Sequence, residues 1–519
     1  MSVAQDNEQG SKVNLERADI LENGTKDGES FQKLIGNVLF SQNDTKIYCD
    51  SAYLFKITNS IEAYGYVKVI QGDTITITGR KLIYLGNDRI AQMRNDVEFK
   101  TPSTTLYTDH LDFDRNEQLA YYFQGGKLID STNQVTSDKG YYLARTKIIS
   151  FKKEVVLTND SETLESDTLV YNTRTRVAFF VAPTKVTDED GNVANYNEGS
   201  YNTKIKKSIL LYGDIESEDY ILSGNKLFLD NLNGYYRVTK NVVMTHKKED
   251  MIIYGDVAEH WKNRRFTKIY GNPLVKKVVD QDTLYLRADT LIAIDSQKEE
   301  EKKLIAFDNV RIYKTDLQGL SDSLVYVSLD SMFYFRKDPI LWTTGTQVTA
   351  DSINLLIRNK TLDQMNMYSN SFLIYEDSLL YHNQVKGRNM VAYFEKEELH
   401  KIDVDGNGES IYFALDEKTA DLVGMNKILC STMTIKFDKG KVQDIFFYTN
   451  PDATFIPPHE LADPDKTLKN YDWRSKEKPQ LETILSGEPA EDLTLTEESV
   501  KKEIEVSGLG ALKEIAKPN

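Results

Sequence analysis

A spacing of about thirty residues organises most of this chain. One column of turn residues, each leading into β-branched or apolar residues, comprises Gly36, Gly65, Asn95, Gly125, Glu154, Pro183, Gly213, Asn241 and Gly271. A second column, half a repeat later, comprises Asp50, Gly79, Asp109, Asp138, Asp167, Gly224, Gly255, Asp289, Asp322, Asp351 and Gly387. A fixed period of this length is typical of folds in which each repeat stacks on its neighbours.

Apolar residues alternate with polar ones around both columns. Ile61, Ala63, Val67 and Val69, for example, surround Gly65 at alternate positions. A period of two predicts β-strands, and a recurring Gly or Asp predicts a corner where the chain bends from one sheet into the other. We therefore predict an all-β fold of about fourteen repeats, each with two short strands.

The repeats divide the chain into four parts. Residues 1–30 are polar and are predicted to be a flexible N-terminal segment. Regular repeats occupy 31–275, and repeats with insertions continue over 276–455. Residues 456–519 are rich in proline and charge and are predicted to be a tail. Two shorter segments are also predicted, a loop over 297–303 and a helix over 499–506.

The charge of the chain argues against nucleic acid as a partner. Its formal net charge is −16, whereas a protein that neutralises phosphates needs clustered Lys and Arg. No run of eighteen apolar residues is present, so no transmembrane helix is predicted. The two cysteines, Cys49 and Cys430, fall near opposite ends of the predicted stack and are expected to be free thiols.

Several segments resemble a known family. The segments are 36–40, 49–52, 63–69, 72–74 and 82–84. They resemble the OstA-like, or LptA-type, β-jellyroll family, and in particular the long OstA-like proteins that lack the outer-membrane barrel of LptD. The resemblance extends over roughly residues 31–455 and is clearest over 31–190.

The resemblance implies a fold, a function and a location. The fold is an elongated repeat β-jellyroll, two stacked antiparallel sheets folded into a V-shaped groove. The function is lipopolysaccharide transport, in which the groove shields the acyl chains of lipid A without a cofactor or a catalytic residue. The location is the periplasm, with the signal peptide presumed removed because residues 1–10 lack its basic and apolar parts. The implied partners are lipopolysaccharide and other jellyroll subunits of the transport bridge, joined through terminal strand edges.

Alternation also selects candidate groove residues. The candidates for the inner, lipid-facing side are Val38, Phe40, Ile61, Ala63, Val67, Val69, Ile75, Ile77, Val97, Phe99, Leu111 and Phe113. The same alternation is expected if these side chains fill a closed core.

The recurring aspartates and the histidines are predicted to be neither catalytic nor metal-binding. Gly replaces Asp at several second-column positions, which suits a turn in which Asp hydrogen-bonds the backbone of its own turn. The six histidines show no ligand spacing such as HxxxH.

Two other interpretations of the sequence remain open. One is a secreted β-solenoid that binds or degrades polysaccharide, for which three strands per coil of about 20–25 residues are expected. The other is a purely structural filament former with free strand edges.

Overall fold

The computed structural model describes residues 12–486 except 27, 219, 249, 280–281, 297–301, 328, 344, 359–360, 378, 396–397, 417–418, 420, 439–440 and 450. The predicted helix over 499–506 and most of the predicted loop over 297–303 lie outside the described residues. The chain divides into two units. Unit 1 comprises 12–218 and 226–228, and unit 2 comprises 220–225 and 229–486.

Unit 1 is built from strands. They are β1 (Asn14–Arg17), β2 (Ile20–Lys26), β3 (Glu29–Gln42), β4 (Thr45–Phe55), β5 (Ser60–Gln71), β6 (Ile75–Leu85), β7 (Ile90–Lys100), β8 (Thr105–Asp114), β9 (Leu119–Tyr122), β10 (Gly126–Ile129), β11 (Gln134–Ser137), β12 (Lys139–Leu143), β13 (Ile148–Thr158), β14 (Glu162–Asn172), β15 (Val177–Phe180), β16 (Thr184–Asp188), β17 (Val193–Asn202) and β18 (Lys207–Glu216).

The strand β19 (Tyr220–Asp230) has residues in both units. The strands that follow, all in unit 2, are β20 (Tyr235–His246), β21 (Met251–Trp261), β22 (Phe266–Tyr270), β23 (Leu274–Val279), β24 (Asp282–Arg287), β25 (Thr290–Ile294), β26 (Lys303–Lys314), β27 (Leu317–Val327), β28 (Met332–Arg336), β29 (Ile340–Thr343), β30 (Thr346–Thr349), β31 (Ser352–Arg358), β32 (Thr361–Glu376), β33 (His382–Glu395), β34 (Glu398–Leu415), β35 (Leu422–Asp438), β36 (Lys441–Tyr448) and β37 (Asp452–Ile456). Its helices are short, namely the 3-10 turns Lys262–Arg264, Asp463–Lys466 and Ser475–Glu477 and the helix α1 (Leu481–Leu485). None of the helices in the described part of the chain is long and apolar enough to cross a bilayer.

The all-β prediction is confirmed, and the described strand pairings are antiparallel. In unit 1, β3 pairs with β4, β4 with β5, and so on along the chain. This connectivity is inconsistent with the β-solenoid reading, because a parallel β-helix pairs its strands in parallel. The prediction of two short strands per repeat is wrong in one respect. Many strands are long, such as the 14 residues of β3, and run through a corner at their middle.

Many corners carry a β-bulge with left-handed backbone. In β3 the pairing register shifts between Ile35 and Val38, and the intervening Gly36 and Asn37 have φ of 76° and 47°. Paired left-handed residues recur at the corners of later strands: Asn95 and Asp96, Lys153 and Glu154, Lys240 and Asn241, Asp308 and Asn309, and Ser369 and Asn370. Asn, Asp and Gly tolerate this conformation best, which explains their recurrence in the first column of the sequence.

The residues of the second column lie at the corners of the neighbouring strands. The Asp289 N–H donates to the Asp308 carbonyl at 3.0 Å, and its carboxylate accepts from Asn309 Nδ2 at 2.9 Å. Asp351 makes the same two bonds, to the Ser369 carbonyl at 3.0 Å and from Asn370 Nδ2 at 3.0 Å. The prediction that such aspartates bond their own turn is therefore wrong. They join adjacent strands, and we call this arrangement the corner contact.

The N-terminal segment contains strands that the sequence did not indicate. Residues 20–26 pair with 35–29 of β3, and Asn14 and Leu15 pair with Ser41 and Phe40. The predicted flexible segment 1–30 therefore differs from the structure over β1 and β2. Short edge strands of this kind obtain their order from pairing, and the sequence alternation that would announce them is weak.

Part of the predicted C-terminal tail is packed against unit 2. Leu468, 3% exposed, joins a cluster with Phe372 and Ile374 of β32 and Phe413 of β34. The fully buried Gln384 side chain accepts from the Leu468 N–H at 2.8 Å and donates to the Lys466 carbonyl at 2.8 Å. The segment from 457 to 485 thus belongs to the fold of unit 2.

The corner at Gly65 gives a direct test of this geometry. Gly65 has φ of +89°, and a Cβ there would overlap the Asp50 carboxylate. Gly28 also has a positive φ, +84°, but a Cβ there would meet nothing within 4 Å. We expect Gly65→Ala to lower the free energy of unfolding by about 2 kcal/mol more than Gly28→Ala, measured by urea unfolding of the full chain. Equal effects of the two substitutions would contradict the corner assignment.

Candidate functional site

The corners give the strands of unit 1 two arms. We call arm 1 the side that contains residues 29–35 of β3 and arm 2 the side that contains 38–42, and the other strands follow by pairing. Asp50, Gly65 and Asn95 at the corners are exposed, whereas apolar residues on both sides of each corner are buried. The two arms therefore turn their apolar sides toward the same region, which we call the inner face.

One row of side chains crosses arm 1 along the inner face without a charged or amide-bearing residue. Each member is paired with the next on the adjacent strand, and all are buried. This row, stripe 1, comprises Leu34, Ala52, Ala63, Leu82, Met93, Leu111, Tyr122, Gly140, Phe151, Leu169, Phe180, Gly199 and Leu210. It is the closed part of the interior.

A second row crosses arm 2 and is entirely apolar. This row, stripe 2, comprises Phe40, Ile47, Val69, Ile77, Phe99, Leu106, Leu128, Val135, Leu157, Leu164, Val186, Ala194 and Ile215, each paired with the next. Its burial is uneven. Phe40 is fully buried, whereas Val69, Ile77 and Phe99 on the following strands are half-buried.

The twelve predicted groove residues all fall on the inner face by pairing and alternation. Seven are buried: Val38, Phe40, Ile61, Ala63, Val67, Val97 and Leu111. Five are half-buried: Val69, Ile75, Ile77, Phe99 and Phe113. The buried members act as core in this structure, and the half-buried members line its accessible part. Contact of any of them with lipid stays a prediction.

The inner face also carries polar residues that alternation did not single out. Tyr122 lies in stripe 1 and its hydroxyl is 2.6 Å from the Ser137 hydroxyl. Burial raises the pKa of Tyr122 to about 12, so the phenol stays neutral and hydrogen-bonded. Gln42, Tyr84, Glu162 and Tyr201 are further examples. The sequence signal for these residues is a polar side chain at a position where the alternation predicts an apolar one.

Potential metal ligands are scattered over the described part of the chain. Within the described ranges, no group of three or more His, Cys, Asp or Glu side chains is placed to hold a metal ion. A cavity of about 330 Å³ at the turns of arm 2 is lined by polar residues such as Asp130, Asn133 and Asn159. No member of stripe 2 lines this cavity, and an acyl chain would find few apolar partners there.

Comparison with known families agrees with this architecture. Residues 10–167 and 144–224 match the model of the family described as OstA-like protein. This part of the chain is similar to the OstA-like family. The matched residues span most of unit 1 and include every member of both stripes. The resemblance predicted from the sequence is thus confirmed over the matched range.

Solved structures add a distant similarity. One match is LptH of Pseudomonas aeruginosa, described as the LptA homologous periplasmic component of the conserved lipopolysaccharide transport device. It shares 13% identity, covers 22% of this chain and 79% of its own, and has a TM-score of 0.19. The comparison with curated proteins finds no match.

The two thiols provide a test of how tightly the inner face is packed beside a corner. Both cysteines are free, as predicted. Cys49 is 5% exposed, and burial, with a smaller effect of Asp50, raises its pKa to about 12. Cys430 is half-buried, and its pKa is raised by burial alone. We expect iodoacetamide at pH 8 to alkylate Cys49 at least about ten times more slowly than Cys430 in the folded chain, because the thiolate is the nucleophile.

Peptide mass spectrometry at timed intervals would measure both rates in one sample. Unfolding in urea should make the two rates similar, which serves as the control. Rapid alkylation of Cys49 in the folded chain would show that the inner face beside the corner is open to water.

Proposed function

We propose that this chain is a lipopolysaccharide-transport protein of the periplasm, and that the inner face of unit 1 shields the acyl chains of lipid A. The observation that carries the proposal is the pair of stripes, each continuous over thirteen paired strands. The OstA-like match over the same residues supports it.

The length and chemistry of the stripes suit an acyl chain. Strands spaced by about 4.8 Å place the ends of a thirteen-strand row roughly 58 Å apart. Each CH₂ group that moves from water into an apolar environment contributes about 0.8 kcal/mol. Several acyl chains could therefore be held by burial alone, with no need for catalysis or a cofactor. We accordingly propose a non-enzymatic carrier.

The uneven burial of stripe 2 suggests where acyl chains first make contact. Val69, Ile77 and Phe99 are half-buried neighbours on β5, β6 and β7, whereas Phe40 and Ile47 on the preceding strands are buried. Half-buried apolar side chains on a continuous row offer a ligand new contacts without first displacing a packed core. We propose that this part of stripe 2 is the initial acyl-binding region.

The N-terminal edge suggests how further jellyroll subunits could bind. β1 and β2 form the first strands of unit 1, and both pair with β3. Ile20 and Leu21 of β2 are 52% and 46% exposed. An edge strand with exposed apolar residues suits addition of a strand from another subunit. We propose that bridge components join here and extend the stripes.

Site-specific photocrosslinking in cells tests the proposal. A photoreactive amino acid at Val69 or Phe99 should form adducts with lipopolysaccharide at least ten times more often than one at Tyr66, which is 58% exposed beside the same corner. Val67, with no exposed surface, should give an intermediate yield because acyl chains must first part the packed residues. Equal yields at Phe99, Val69 and Tyr66 would rule out acyl binding on stripe 2.

A further inference from the structure

Two polar clusters in unit 1 bring side chains of the two arms together. In the first, Gln42 lies at the arm 2 end of β3, in the alternation that includes Phe40. Its Oε1 accepts from the Tyr84 hydroxyl at 3.2 Å and from Arg115 Nη1 at 3.2 Å. Tyr84 belongs to arm 1 of β6, and Arg115 to the turn that follows arm 1 of β8. The cluster therefore spans from one arm to the other.

The second cluster repeats this construction farther along unit 1. Glu162 begins β14 in arm 2, where it pairs with Asp188. Its carboxyl interacts electrostatically with Tyr201, which belongs to arm 1 of β17, and with Lys206 in the turn that follows. Burial, the largest influence, raises the pKa of Glu162, while Asn159, Lys206 and Tyr201 oppose that shift.

The two clusters share one arrangement of residue types. In each, an acceptor at the end of an arm 2 strand meets a tyrosine of arm 1 and a cation from the arm 1 turn near it. Tyr84 and Tyr201 also lie on the same row of arm 1, beside stripe 1. That row runs Ile61, Tyr84, Ala91, Phe113, Ala120, Tyr142, Ile149, Tyr171, Ala178 and Tyr201. The hydrogen bonds of the first cluster, together with the matching placement of the second, therefore indicate a recurring structural feature of unit 1.

We infer that the clusters of Gln42, Tyr84 and Arg115 and of Glu162, Tyr201 and Lys206 are clasps that hold the two arms together over the inner face and open when an acyl chain enters. The inference rests on the proposed function, since it concerns how that same interior admits its ligand. The clasps are positioning elements and need not touch the lipid.

The small net stability of the hydrogen bonds in the clasps allows them to open reversibly. A hydrogen bond inside a protein adds only a modest net stability, because opening exchanges it for hydrogen bonds to water. The stripes, by contrast, gain from every CH₂ group that they cover. An arriving acyl chain can therefore replace clasp contacts by apolar contacts along the stripes, and the clasps close again after the chain has moved on.

The clasps can be tested without lipid. We expect Tyr84→Phe to increase amide hydrogen exchange in residues 38–46 of the full chain at least threefold, because the ring stays and only the bond to Gln42 is lost. Tyr201→Phe should do the same for residues 160–166. Tyr142→Phe, on the same row but outside both clusters, is the matched control and should leave both segments unchanged. Unaltered exchange in both clasp variants would overturn the inference whatever the chain binds.

A second measurement links the clasps to uptake. The rate at which a fluorescent fatty acid binds the full chain in stopped flow should rise about threefold to tenfold in Tyr84→Phe and further in the double variant with Tyr201→Phe. Glu162→Gln keeps an acceptor for Tyr201 and should behave like the unaltered chain, whereas Glu162→Ala should resemble Tyr201→Phe.

The outcomes separate the two proposals. Uptake by the unaltered chain with equal rates in all variants overturns the clasps and leaves the proposed function intact. Failure of every form to bind the fatty acid, together with faster exchange in the clasp variants, supports the clasps as links between the arms and counts against acyl binding.

Discussion

The corner contact is the interaction on which the rest of the structure depends. A left-handed bulge in one strand is held by hydrogen bonds from the strand beside it, as Asp351 shows with Ser369 and Asn370. Because the contact joins neighbours, each new strand must bend where the previous one does. Bends that align across many strands give two arms whose apolar sides share one inner face. Without that alignment the same alternation of apolar and polar side chains would build a flat sheet with one apolar side exposed to water.

The stripes follow from this alignment. An antiparallel register fixes which side chains lie beside each other, and a slip of one residue would move a whole strand's apolar set to the outer face. Stripe 2 therefore remains apolar from Phe40 to Ile215 although no short sequence motif specifies it. Its half-buried stretch and its packed neighbours suggest an interior that is partly core and partly binding surface. The clasps would then set how readily the packed core becomes a binding surface.

Much of this arrangement could be predicted from the sequence. The turn residues at the corners and the alternation of apolar with polar residues are local patterns. Gly65 and Asp50 marked a corner, and Val67, Val69 and Phe99 marked the inner face. The bonding partner of the corner aspartates was missed, since a side chain that reaches the next strand leaves the same sequence signal as one that bonds its own turn. β2 was missed because its order comes from pairing with β3. Packing of Leu468 on unit 2 was missed because the polar, proline-rich surroundings of that residue resemble a tail.

The proposed function requires that the inner face of unit 1 carries acyl chains. This requirement can be checked by native mass spectrometry of the full chain, purified without detergent from a bacterium that makes lipopolysaccharide. A bound species with the mass of lipopolysaccharide is expected, and it should be lost in Phe99→Glu, which places a charge on stripe 2, and kept in Tyr66→Glu, which changes an exposed corner residue. A chain that carries no lipid, or that keeps it in Phe99→Glu, would show that stripe 2 does not bind acyl chains.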